Sequence, residues 1–200
     1  MKPKSRKEEY AEMTRQALLE AALKLFIQKG YHNTSIEDIV QEARLTRGAL
    51  YHHYKSKEEI FIRLYKDIVT QLVVVIETAT NNISDPWQKA LIACNSFLNC
   101  CIDPKFISIR LDDAIGVLGW ERWRAIDSSY TMKVLKEILV EIHDAGQLST
   151  DSIDTASNMI YALLIEGALS ISASADKKKA HSDAVKVMQK MLLGLKKYDK

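Results

Sequence analysis

Residues 34–57 read TSIEDIVQEARLTRGALYHHYKSK, and this stretch decides the fold. It predicts two short helices joined by a tight turn. Ile36, Ile39, Val40 and Ala43 fall at i, i+3, i+4 and i+7, one apolar helix face. Thr34 or Ser35 caps that helix, and Glu37 and Asp38 sit in its first turn, where the helix dipole favours acids. Leu45 tucks under the turn. Thr46 is the N-cap of a second helix, about residues 47–54, with Leu50 as its inward anchor. Arg47, Gly48 and Ala49 then fall on its exposed N-terminal turn. In a helix-turn-helix that turn touches the base edges of DNA.

The charge distribution agrees. Four basic residues and no acid lie between Arg44 and Lys57: Arg44, Arg47, Lys55 and Lys57. Residues 1–57 carry 11 Lys+Arg against 7 Asp+Glu, a net of +4, whereas the whole chain is +2, which leaves −2 for residues 58–200. A basic head on a near-neutral body suits phosphate binding through counterion release. Charge alone fits any solvated helical surface; combined with the two-helix pattern it favours DNA.

LTRGALYHHYKSKEEIF resembles the signature of the TetR/AcrR family of bacterial transcriptional regulators, and TRQALLEAALKLFIQKGYHNTSIEDIVQEA resembles the first two helices of that family. Together the two segments cover about the first quarter to third of the chain. The resemblance implies Tyr51 and Lys57 on the phosphate backbone, with Thr46, Arg47, Gly48, Ala49 and His52 near the groove; Thr34 is counted with these DNA-binding residues. Arg44 departs from the pattern, because the family usually has Gly at that turn. A non-Gly residue there adopts a left-handed conformation or reshapes the turn, at roughly 1 kcal/mol.

The chain has 200 residues, 47% of them hydrophobic, with only 3 Pro and 7 Gly. Apolar residues at helical spacing run nearly throughout, which predicts an all-α protein of about nine helices. A three-helix helix-turn-helix head (1–57) is joined by a long helix to a helical body for ligand binding and dimerisation (58–200). The first helix is expected to start near Thr14 and to stop at Gly30, after a mobile basic arm carrying Lys2, Lys4, Arg6 and Lys7. A long helix follows from Lys57 to about Thr80, and its period outweighs the strand propensity of Val73 to Ile76. Asp85-Pro86 starts a helix to about Cys101, and Asp103-Pro104 starts another to about Leu118. Further helices are expected at about 120–144, 151–173 and 177–195. No run reaches the ~18 consecutive apolar residues of a membrane span. With no secretory signal and an odd three cysteines, the chain is expected in the cytoplasm, with no membrane partner.

One recognition helix contacts few base pairs, and a two-fold dimer doubles them. The last two helices are the expected homodimer surface, through Leu163, Leu164, Gly167, Ala168, Ile171, Met188 and Leu195. The partners expected are a near-palindromic double-stranded DNA operator, a second copy of the chain, and a small-molecule effector, this last implied by the resemblance. Candidates for lining the effector pocket are Phe97, Cys101, Phe106, Ile109, Asp113, Trp120, Trp123, Tyr130, Met159 and Tyr161, each of which would equally serve as core. No cofactor and no metal is expected.

The reading is a ligand-released homodimeric repressor. One alternative is a thiol or oxidant sensor using Cys94, Cys100 and Cys101. Another is a non-specific helical DNA binder or adaptor, although such a binder calls for more positive charge than +2. Catalysis is not expected. The chain has no Gly-rich phosphate loop, no His-Glu-x-x-His and no Cys-x-x-Cys, and His52-His53 point ~100° apart on a helix.

Overall fold

Ser5 and Glu8 open the first helix as a capping box. The Glu8 N–H donates to the Ser5 hydroxyl at 3.3 Å, and the Ser5 N–H donates to the Glu8 carboxylate at 2.7 Å. Helix α1 (Arg6–Lys29) therefore starts at Arg6 rather than near Thr14. Arg6 and Lys7 belong to a helix and not to a free arm; Lys2 and Lys4 lie outside the described residues. The computed structural model describes residues 5–103, 106, 109 and 111–197.

The remaining helices are α2 (Ile36–Glu42), α3 (Arg47–His53), α4 (Lys57–Thr80), α5 (Pro86–Cys100), α6 (Leu111–Leu118), α7 (Trp120–Asp127), α8 (Lys133–Asp144), α9 (Ile153–Ala173) and α10 (Lys177–Leu193). A π turn, Ser128–Met132, joins α7 to α8 without a break. Counted as one helix over 120–144, this gives nine among the described residues. The fold is all-α: the only β pairing among those residues is an isolated bridge, Leu148 to Lys196. There the Lys197 N–H donates to the Gln147 carbonyl at 2.8 Å, tying the end of the chain to the loop after α8. The helix expected from Asp103-Pro104 begins instead at Leu111; Pro104 lies outside the described residues.

Two compact units emerge, Met1–Asp67 and Ile68–Lys200. The first extends past residue 57 because Ile60, Phe61, Leu64 and Tyr65 of α4 are buried. Phe61 packs its ring 5.8 Å from Phe26 and 5.1 Å from Tyr31, while Leu18, Ala22, Ile39 and Leu50 are fully buried. In the second unit, α9 and α10 pack on each other and on α5, and α8 packs on α5 and α9. Trp123, Leu139, Ile142 and Ile171 have no exposed surface there. Helix α9 is long and apolar enough to cross a membrane by length and composition, but 44% of its apolar window is buried inside the protein.

The turn between α2 and α3 closes as a Schellman motif. The Leu45 N–H donates to the Val40 carbonyl at 2.8 Å, and the Arg44 N–H donates to the Gln41 carbonyl at 3.1 Å. Arg44 takes the left-handed position with φ 55, the only non-glycine at positive φ among the described residues. Left-handed backbone costs a side-chain-bearing residue about 1–2 kcal/mol, which glycine avoids at some loss of unfolded-state entropy. Arg44→Gly is therefore expected to stabilise the head by about 0.5–1 kcal/mol in urea unfolding; an unchanged or lower midpoint contradicts strain at this turn.

Candidate nucleic-acid interface

Thr46 starts α3, its hydroxyl accepting from the Ala49 N–H at 3.1 Å. Leu50 anchors the helix from beneath with no exposed surface. What remains outside is Thr46, Arg47, Gly48, Tyr51 and His52, with Ala49 half-buried. Tyr51 is 50% exposed. Gly48 has no internal reason to be glycine: its φ is not positive, and an added Cβ would meet only the Thr46 hydroxyl, at 3.8 Å. Its bare backbone keeps the first turn of α3 low enough for another surface to approach closely. Arg47 reaches back to α2, its Nε 2.8 Å from the Glu37 carboxylate.

Two residues of the expected DNA-binding set turn inward. The Thr34 side chain is buried, and its hydroxyl donates to the Gly30 carbonyl at 2.9 Å. It braces the α1–α2 loop, and Ser35 is the cap of α2. The Lys57 ammonium donates to the carbonyls of Tyr31 and Thr34, both at 2.7 Å, and lies 4.2 Å from the Tyr31 ring centroid. Burial pulls its pKa below the ordinary lysine value. Two of its three donors serve the fold, because these loop carbonyls lack helical N–H partners. Burial, with a smaller contribution from Glu58, raises the Tyr31 phenol. Next to this loop, the Ser35 N–H, then its hydroxyl, then Lys29 hold Asp38 down to about 2, so the α2 cap stays ionised well into acid.

The expected effector residues scatter. Trp123 and Tyr161 are buried with their rings stacked 6.4 Å apart, and Trp120 lies 5.1 Å from Trp123 but is half exposed. Phe97 is buried in α5 beside an apolar void of about 20 Å³, which Cys94, Thr131 and Leu164 also line. Phe106 and Ile109 are buried, Tyr130 is half-buried on the π turn, and Cys101 caps α5. Asp113 is exposed on α6, and Met159 is 64% exposed on the outer side of α9. Asp127 is not among the residues expected from the sequence. It is 4% exposed and accepts from the hydroxyls of Tyr161 and, at 3.0 Å, of Thr131. A four-residue spacing of Trp123, Asp127, Thr131 and Leu135 was the available signal.

None of the cysteines is in a disulfide, and burial pushes the thiols of Cys94 and Cys101 up to about 12. Burial of this kind leaves Cys94 and Cys101 little thiolate at neutral pH, which does not favour oxidant sensing through them. Among the described residues no group of three His, Cys, Asp or Glu is placed to hold a metal.

The α9–α10 pair is double-sided. Leu164, Ala168, Ile171 and Met188 face inward as core. Leu163, Gly167 and Leu195 keep partial exposure, and with Met159, Val187 and Met191 they border two adjoining apolar grooves of about 350 and 300 Å³. The outward-facing set shares Leu163, Gly167 and Leu195 with the expected one and adds Met159, Val187 and Met191.

Residues 18–64 match the family described as bacterial regulatory proteins, tetR family, and residues 87–195 match the tetracyclin repressor-like C-terminal domain. The transposon Tn10 TetC protein of Escherichia coli is 27% identical over 160 residues, 80% of this chain and 81% of that protein. The regulator AcrR of Shigella flexneri is 43% identical over 56 residues, only 28% of this chain and 26% of its own length. A TetR-family transcriptional regulator from Pectobacterium atrosepticum superimposes with a TM-score of 0.79 at 26% identity, over 98% of this chain and all of that one.

Lys57→Met keeps the stem and removes the ammonium, leaving the Thr34 carbonyl without its donor and the Tyr31 carbonyl with only the Thr34 N–H, at 3.3 Å. The expected result is a head destabilised by about 2–3 kcal/mol in urea unfolding, with weaker binding to every DNA sequence. Full stability with a salt slope lowered by about one ion would instead make Lys57 a phosphate contact.

Proposed function

The chain belongs to the TetR family of bacterial transcriptional regulators, and we propose that it acts as a homodimeric repressor that a small molecule releases from its operator. The family is one of DNA-binding regulators, and this chain is one of them. The observation that carries the finer reading is the exposed N-terminal turn of α3, with Arg47 and bare Gly48 side by side above a buried anchor, Leu50. In this reading α3 enters the major groove. Arg47 donates to a guanine, Gly48, Ala49 and His52 lie against the groove, and Tyr51 faces a phosphate.

Two copies associate through the outer faces of α9 and α10, where Met159, Val187 and Met191 are exposed beside Leu163. Apolar side chains lining continuous grooves on one helix pair suit a two-fold, self-complementary contact. The effector binds in the body. It must bind the DNA-free arrangement more tightly than the DNA-bound one, and the coupling is reciprocal. Helix α4 is the covalent route, because a single uninterrupted helix starts in the first unit and ends in the second.

From a library of randomised duplexes, the full chain is expected to select a near-palindromic sequence. Arg47→Ala is then expected to lose about 5–150-fold on that operator, ~1–3 kcal/mol, with a smaller loss on a scrambled duplex. Equal losses on both contradict base reading by Arg47.

Light scattering is expected to give a dimer at micromolar concentration. Val187→Glu, at a position 55% exposed in one protomer, is expected to shift it to monomer without unfolding. A dimer that persists unchanged argues against the α9–α10 face.

A further inference from the structure

The ion pair between Glu37 and Arg47 contributes little to the fold, and its consequence lies elsewhere. Both side chains are exposed, 57% for Glu37 and 61% for Arg47. Exposed pairs of this kind add little stability. The relation of α2 to α3 is already held by buried Ile39, Val40 and Leu50 and by the Schellman turn. The ion pair nonetheless has a side: the Glu37 carboxylate lies 2.8 Å from the Arg47 Nε, not at the terminal nitrogens. This leaves the two terminal nitrogens as a parallel pair of donors. A parallel pair matches the O6 and N7 acceptors of guanine in the major groove.

Position reinforces the point. Glu37 is in the first turn of α2, and Arg47 is the first residue of α3. Free arginine has many rotamers to lose on binding, and a side chain held at one nitrogen loses fewer. A carboxylate beside the recognition surface also repels phosphates, which weakens contact with DNA wherever Arg47 finds no guanine.

We propose that Glu37 is a positioning residue for sequence reading: its charge draws the Nε side of the Arg47 guanidinium toward α2, so that the terminal edge meets guanine, and it penalises non-specific DNA. The proposal rests on the reading of Arg47 as a base contact, given above.

The test uses the full chain, its selected operator and a scrambled duplex of the same composition. Affinities are measured by fluorescence anisotropy for the wild type, Glu37→Ala, Glu37→Gln, Arg47→Ala and the double variant Glu37→Ala/Arg47→Ala. Glu37→Ala is expected to bind the scrambled duplex more tightly and to lower the operator-to-scrambled ratio about tenfold. Glu37→Gln keeps the length of the side chain and removes its charge, and is expected to lower the ratio much as Glu37→Ala does, because the contact is an ion pair. In the Arg47→Ala background, Glu37→Ala is expected to raise both affinities together, leaving the ratio unchanged. Replacing the contacted guanine with 7-deazaguanine, which lacks N7, is expected to weaken the wild type more than Glu37→Ala. Circular dichroism confirms that each exposed-site variant is folded.

If Glu37→Ala raises both affinities equally in the wild-type background, Glu37 only repels DNA and the proposal fails while the Arg47 reading stands. If Arg47→Ala leaves the ratio untouched, the Arg47 reading fails, and the positioning role with it.

Discussion

The Lys57 ammonium holds the head together at its least regular point. It joins residues 23 and 26 positions away in sequence, at the carbonyls of Thr34 and Tyr31. Those carbonyls lie in a loop that neither flanking helix can satisfy, and a single cation on a long stem supplies both donors. With the loop fixed, Ser35 stands where it caps α2, and Asp38 returns the bond. The direction of α2 then sets the turn, and the turn sets α3. Each step is local, but the series begins with one long-range contact from the first residue of α4.

Two choices in this short stretch run against local preference. Glycine at 48 weakens a helix by roughly 1 kcal/mol relative to alanine, and no neighbour demands it. Arginine at 44 holds a left-handed conformation that glycine would adopt without strain. In a segment otherwise consistent at every level, from caps to buried anchors, such departures mark a surface kept for binding. The exposed side of α3 carries no packing role, so its residues are free to be chosen for what they meet outside.

Periodicity made the helices legible, and capping made some of their ends legible too. Asp85-Pro86 and Gly30 stand where the sequence analysis put them, because each acts through its own backbone. Ser5 and Glu8 were equally local, but the basic residues around them suggested a free arm, and the capping box went unread. Within the site, Arg47 and Tyr51 were readable as exposed because Leu50 names the buried side of the helix. Thr34 and Lys57 were not, because their partners are backbone carbonyls that no side-chain pattern reveals. The two faces of α9 were confused for a related reason. Both are apolar, at Ile171 within and at Met159 without, and only packing decides which is which.

The π turn follows from the same competition between local and long-range demands. Trp123, Asp127, Thr131 and Leu135 are all buried, each four residues after the last. An α-helix turns 100° per residue, so three such steps drift ~120° and carry the last residue away from the core. A π turn is wider and absorbs that drift. Ser128 and Ser129 favour it, because both hydroxyls donate to the Ala125 carbonyl at 3.2 Å and compete with the regular ladder. The wider turn brings Thr131 onto Asp127, and Tyr161 of α9 completes the set. A buried carboxylate needs such partners, since an unsatisfied one would shift toward its neutral form. The irregular turn is thus the condition for keeping a polar group in the middle of an otherwise apolar body, and it ties the long helix over 120–144 to α9, the helix whose other face looks outward.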